Sequence, residues 1–256
     1  MKVLVTRPAA QAAEWAQHLR LRGIDAVALP LIGIAPAPDL ASVHAAWAIL
    51  NQQRLLVFVS PNAVETFFAA RPEGMGWPRD TLAGSIGPGT TRALLANAVP
   101  QDQLIAPVAD AAQFDSEALW SQLASHDWHG ARVLIVRGDG GRDWLADTLR
   151  RAGATLGHLA AYQRTAPNLS ATERVLLSAA LAEPIRHLWF FSSSEAITHL
   201  AAAAPGADWR HSRAIVTHPR IAATARDAGF GEVLPTRPEL DAVTACIQSL
   251  RPRIEP

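Results

Sequence analysis

Five short turns carry the residue types best able to hold an anion. Val59 runs into Ser60-Pro61-Asn62, Ile86 into Gly87-Pro88-Gly89-Thr90, Arg137 into Gly138-Asp139-Gly140-Gly141, Ser192 into Ser193-Ser194, and Thr217 into His218-Pro219-Arg220. Each follows a β-rich run and precedes a helical pattern. In open α/β sheets, ligands bind beyond the carboxyl ends of the strands, where helix N-termini offer N–H groups and a partial positive charge. Several such ends could hold a polycarboxylate without many lysines. N-capping alone explains Ser, Thr or Gly at any one turn; for the five together, capping and anion binding both stand. Arg7 and Arg137 close two of the strands, where a guanidinium suits a carboxylate. Tyr162, the single tyrosine of the chain, could give or accept a proton or pack at an interface.

Other chemistries find no support. Gly138–Gly141 lacks both the GxGxxG order of a dinucleotide site and the GK[ST] ending of a phosphate loop. Nine histidines are scattered without HExxH spacing or a carboxylate cluster, and no GxSxG elbow is present. Lys and Arg total 23, as do Asp and Glu, so no broad positive field exists for nucleic acid or an anionic membrane. One cysteine, Cys246, excludes an internal disulfide and reads as a core residue of the last helix. No apolar run approaches a membrane span and no signal peptide is apparent, so the expected compartment is the cytoplasm.

The elements that would position these residues come in two related sets. Between Val3–Gly23 and Val133–Gly153, an offset of 130, the residues Val3, Leu4, Arg7, Ala16, Leu19, Arg20 and Gly23 recur unchanged. FVSPNAV at 58–64 answers FSSSEAI at 191–197, and IGPGTTRALLANAV at 86–99 answers THPRIAATARDAGF at 217–230. A period this long indicates a duplicated domain, not a solenoid. Alternating strands and helices predict an α/β protein of two five-stranded, parallel, flavodoxin-like sheets, ten strands in all. Two proline-bearing stretches, 31–39 and 162–170, read as extended crossings between domains. The first domain is then 1–36 plus 167–256, the second 40–161, and the repeat breaks chemically where Tyr162 stands for Leu31.

With these residues in place the chain resembles the uroporphyrinogen-III synthase family along nearly its whole length. The likeness is carried by VLVTRP with Gln11, Ala16 and Leu19; LPLIGI leading to Pro36; FVSPNAV; Trp77-Pro78; IGPGTTRAL; DSEAL at 115–119; VLIVRGDGGR; Tyr162-Gln163-Arg164 with Pro167; FSSSEA; and His218-Pro219-Arg220-Ile221-Ala222. The resemblance implies two α/β domains joined by a two-stranded linker, with a cleft between them. It implies cyclisation of hydroxymethylbilane with loss of water and inversion of ring D, without cofactor or metal. The substrate, a linear tetrapyrrole with eight carboxylates, would be bound largely by backbone N–H groups. The resemblance also implies a monomer with transient contact to hydroxymethylbilane synthase and no nucleic-acid or membrane partner. By position, Ser60, Thr90 and Ser193 match the family's hydroxyl turns, and Tyr162 the tyrosine proposed to assist loss of the hydroxyl. Asn62, Gly87, Gly138 and Ser194 complete the expected binding turns. His218-Pro219-Arg220 departs from the GPTTA of many relatives, which puts hydroxyl-mediated binding in doubt there and makes Arg220 an anion candidate. The competing reading is a non-catalytic two-lobed binding protein for a tetrapyrrole or another polycarboxylate.

Overall fold

The computed structural model describes residues 1–250. In chain order the elements are β1 (Lys2–Val5), α1 (Ala9–Leu21), β2 (Ala26–Ala28), β3 (Gly33–Pro36), α2 (Leu40–Ala48), β4 (Leu55–Phe58), α3 (Pro61–Ala69), β5 (Leu82–Ser85), α4 (Pro88–Ala96), β6 (Leu104–Ile105) and α5 (Ser116–Leu123). They continue with β7 (Arg132–Gly138), α6 (Trp144–Arg151), β8 (Thr155–Thr165), α7 (Ala171–Ala182), β9 (His187–Phe191), α8 (Ser194–Ala203), β10 (Arg213–Val216), α9 (Pro219–Asp227), β11 (Glu232–Pro235) and α10 (Leu240–Ser249). The chain divides into two compact units, one built from Met1–Ile34 and the chain from Thr165 onward, the other from Ala35–Arg164.

The first unit carries a five-stranded sheet in the order β2-β1-β9-β10-β11, with all its pairs parallel. The second carries β8-β7-β4-β5-β6, again parallel, with β3 added beside β8 as a sixth strand. Position by position the two orders match: β7 and β8 stand for β1 and β2, while β4, β5 and β6 stand for β9, β10 and β11. Every sequence echo falls on such a pair. Counted along the chain the first unit has the flavodoxin-like order 2-1-3-4-5, while the second, entered at a different strand, runs 3-2-1-4-5.

Alternation along each strand sorts its side chains onto two faces. In β1, Val3 and Val5 join one cluster with Trp15, Leu19 and Phe190, while Leu4 joins the opposite one with Trp189, Phe191 and Phe230. In β4, Leu55 and Val57 meet Leu119 and Leu149, while Leu56 and Phe58 meet Trp47, Phe67 and Tyr162. Both faces are apolar because helices cover both, as a parallel sheet requires.

Three expectations change. An eleventh strand exists, because part of the first proline-bearing stretch, Gly33–Pro36, hydrogen-bonds to β8. The second stretch was expected to begin at Tyr162, but β8 runs on to Thr165, so Tyr162 lies inside the second unit. Two helices are additional, α2 and α7, capped by Asp39 and by a Ser170/Glu173 capping box. Each cap sits at the end of an extended stretch.

Cys246 is half-buried against the cluster containing Val243 and Ile247, and burial, with Glu232 second, raises its thiol pKa. A raised pKa leaves less thiolate at a given pH. Alkylation by iodoacetamide at pH 8 should therefore run severalfold slower than for an unstructured cysteine, and accelerate as pH climbs or urea unfolds the chain. Equal rates in folded and unfolded protein would contradict this burial.

Candidate active site

Parallel strands place one helix N-terminus at the carboxyl end of each, and the predicted turns occupy those ends. In the second unit, Ser60 is extended (φ −164°) and caps α3, its Oγ accepting from Ala63 N at 3.1 Å. Pro61 then opens the helix, where its missing N–H costs nothing. Asn62, in the first turn, is buried, and its carbonyl accepts from Thr66 Oγ1 at 2.6 Å. Gly87 precedes α4 without a side-chain cap, and Thr90 is buried within that helix. Ser85 Oγ donates to Gly87 O at 2.9 Å and bonds Thr91 Oγ1 at 2.9 Å, which fixes the turn from beneath.

In the first unit, Ser193 caps α8 by accepting from Glu195 N at 3.2 Å, and Ser194 Oγ receives a hydrogen bond from Thr224 Oγ1 at 3.0 Å. His218 caps α9, with Nδ1 accepting from Arg220 N at 3.1 Å. The imidazole thus supplies a cap where the matching Gly87 has none, which assigns the proton of the neutral ring to Nε2. Arg220 is exposed one residue into the helix. Among the described residues, four helices that follow a strand, α1, α4, α6 and α10, have no side-chain cap.

The arginine candidates are already engaged. Arg7 lies over the Trp15 ring at 4.7 Å and faces Phe190 at 5.7 Å. Arg137 pairs with Asp143 at 2.7 Å and thereby holds the Asp143 carboxyl below the usual range. Asp143 is the residue before α6, yet its carboxylate serves Arg137 and not the helix. Nearby His158 is exposed on β8, and partial desolvation followed by the charges of Arg137 and Arg150 lowers its pKa.

The densest arrangement surrounds Tyr162. Strand β8 pairs with β7 in register as far as Arg137↔Ala160 and then slips, so that Gly138 faces Tyr162. A Cβ on Gly138 would lie 3.0 Å from Tyr162 Cζ and 3.1 Å from Cε2. Only glycine leaves room for the ring. The phenol is fully buried beside Phe58 and Val136, and its Oη lies 3.0 Å from Ser60 Oγ. Arg164 Nη2 donates to the same Oη at 3.3 Å, with the guanidinium 5.9 Å from the ring centroid. Arg164 N in turn donates to Asp139 Oδ1 at 3.2 Å.

Of the expected residues, Ser60, Gly138 and Tyr162 come together directly. Asn62, Gly87, Thr90 and Arg137 lie elsewhere in the second unit, while Arg7, Ser193, Ser194, His218 and Arg220 belong to the first. Sequence reasoning passed over Arg164 and Asp139. A signal existed for Arg164: residues i and i+2 of a strand share a face. Among the described residues no group of three or more His, Cys, Asp or Glu could hold a metal ion, and no helix is long and apolar enough to cross a membrane.

A family model described as uroporphyrinogen-III synthase HemD matches residues 13–245. The uroporphyrinogen-III synthase of Escherichia coli (strain K12) is 29% identical over 246 residues, covering 91% of this chain and 94% of that one. That of Salmonella typhimurium is 27% identical over 244 residues, with the same coverage of 91% and 94%. Among solved structures, a mutant uroporphyrinogen III synthase from Thermus thermophilus superposes with a TM-score of 0.61 at 14% identity, over 98% of both chains. The uroporphyrinogen-III synthetase of Helicobacter pylori gives 0.58 at 15% identity, over 98% of this chain and 99% of that one. These structures share the fold.

The Gly138–Tyr162 contact is testable by a thermodynamic cycle. Gly138→Ala should cost about 1–3 kcal/mol through overpacking, and much less in a Tyr162→Ala background where the ring is gone. Urea unfolding of the four proteins measures this, and equal costs in both backgrounds would remove the contact as the reason for the glycine.

Proposed function

The chain belongs to the uroporphyrinogen-III synthase family of tetrapyrrole-synthesising enzymes, and we propose that it acts as a cofactor-independent hydro-lyase on hydroxymethylbilane. The terminal hydroxyl leaves as water, ring D attacks through a spiro intermediate and is inverted, and the macrocycle closes as uroporphyrinogen III. Loss of hydroxide from an electron-rich pyrrole is chemically easy. Holding the two end rings for attack at the substituted carbon is the harder task, and positioning of that kind can be worth several kcal/mol.

The observation that carries this reading is the buried tyrosine hydrogen-bonded to a hydroxyl at a helix N-terminus, an acid–base group set where an anionic substrate would be received. Carboxylates would take the N-termini of α1, α4 and α6, whose N-cap residues make no side-chain capping bond. Arg7, Arg137 and Arg220 would supply charge beside them. Arg137 must exchange Asp143 for a substrate carboxylate, a like-for-like replacement that costs little at an exposed pair. Asn62, Thr90, Ser193, Ser194 and His218 shape the turns.

Incubation of the purified protein with hydroxymethylbilane, followed by separation of the isomers, should give the type III product. Formation of only the spontaneous type I product would reject the assignment. Prior treatment with EDTA and dialysis should leave rate and isomer unchanged; a loss restored by added metal would overturn the cofactor-free mechanism.

A further inference from the structure

Tyr162 is the obvious acid, yet it has no exposed surface, whereas Ser60, 3.0 Å away, is partly exposed. Hydrogen-bond bookkeeping permits transfer from the phenol to the serine. A guanidinium only donates, so Arg164 Nη2 fills one acceptor position of Tyr162 Oη. The phenolic hydrogen can then go to Ser60 Oγ. A hydroxyl oxygen has two acceptor positions and one hydrogen. Ala63 N–H and Tyr162 O–H then take the two acceptor positions of Ser60 Oγ, and the serine's own hydrogen points away from both. Either hydroxyl can donate in the Ser60–Tyr162 bond, and the direction a relay uses is Arg164 to Tyr162, Tyr162 to Ser60, Ser60 outward.

We infer that Ser60 is the group that touches the departing hydroxyl and that Tyr162 and Arg164 act through it, as a proton relay. This rests on the reaction proposed above. As the substrate C–O bond breaks, its electron pair stays on oxygen, and that oxygen takes the Ser60 hydrogen to leave as water. Ser60 takes the Tyr162 hydrogen in the same movement. The phenolate formed lies beside the Arg164 guanidinium, whose backbone is tied to Asp139. When the closed ring restores its last pyrrole by losing a proton, that proton returns through Ser60 to the phenolate. One proton goes out and one comes back, so the enzyme is regenerated. Arg164 is a positioning residue and Gly138 the space that lets the phenol reach the row.

The test separates hydroxyl chemistry from helix capping. Ser60→Asn keeps an acceptor for Ala63 N–H, since Asn caps as well as Ser, but has no hydroxyl; Ser60→Thr keeps both. In single-turnover assays Ser60→Asn, Tyr162→Phe and Arg164→Gln should each lower the rate about tenfold, below the usual range for acid–base catalysis because the leaving step is easy, with KM little changed. Ser60→Thr should retain most of the rate. The double variant Ser60→Asn/Tyr162→Phe should be no slower than the slower single one, as for groups acting in series. Multiplicative losses in the double variant, or full activity in Ser60→Asn, would overturn the relay while wild-type formation of the type III isomer left the reaction standing. If the wild-type protein gave only type I, the reaction itself would fail, and the relay with it.

Discussion

Parallel pairing is the constraint from which the site follows. A parallel strand cannot return by a tight turn, so each strand must be followed by a crossover, here a helix on one face of the sheet. Every helix that follows a strand therefore begins at the same edge of its sheet, with first-turn N–H groups that no residue within the helix can satisfy. The two units repeat this in the same strand order, with β9-β10 matched by β4-β5 and β1 by β7. Ser60, Ser193 and His218 answer the need with side chains, whereas α1, α4 and α6 leave it unanswered. Electrostatic potential for an anion is thus built from backbone. This potential needs no formal net charge, and the chain carries none.

Against this shared frame the units differ where the repeat breaks. Leu31 is buried in the first unit as an apolar side chain, and only its backbone meets polar groups, the N–H donating to Thr6 O at 3.3 Å and the carbonyl facing His199 Nδ1 at 2.7 Å. Tyr162 is equally buried in the second but brings a hydroxyl with it, and a buried hydroxyl without partners would be costly. Ser60 and Arg164 provide them. At the matching turn of the first unit, Ser193 has the cap alone and no phenol behind it. The two matching turns thus differ through a residue two strands away.

How far this was legible depended on range. Strand-end turns and their caps are local chemistry, and Ser60 with Pro61 beside it, and Ser193, announced themselves. The duplication was legible because arginines and glycines recurred in phase with the apolar residues. Less visible was what required a distant partner. Tyr162–Thr165 looked like a crossing because Pro167 follows closely, but pairing with β3, more than a hundred residues earlier, holds it as strand. Helices α2 and α7 were hidden behind the same proline-bearing stretches, although the Ser170/Glu173 box was written in the sequence. The burial of Tyr162 depends on a slip in the β7–β8 register. No periodicity reveals a slip; a glycine opposite an aromatic ring is its only trace.

The strand order also dictates a timetable. In the first unit β1 lies between β2 and β9, and β9 joins β1 to β10, so the middle of that sheet is supplied by residues 187–191. A chain growing from its amino terminus makes β1, α1 and β2 first and can do little with them, since two short strands and a helix bury too little surface to stand alone. All strands of the second sheet, from β3 to β8, lie between residues 33 and 165 and so exist before β9. During synthesis the inserted half is thus the first able to close its core, while the opening segment waits for a partner made more than 150 residues later. An aggregation-prone parallel edge is exposed during that interval, and its length is set by where the second copy was inserted.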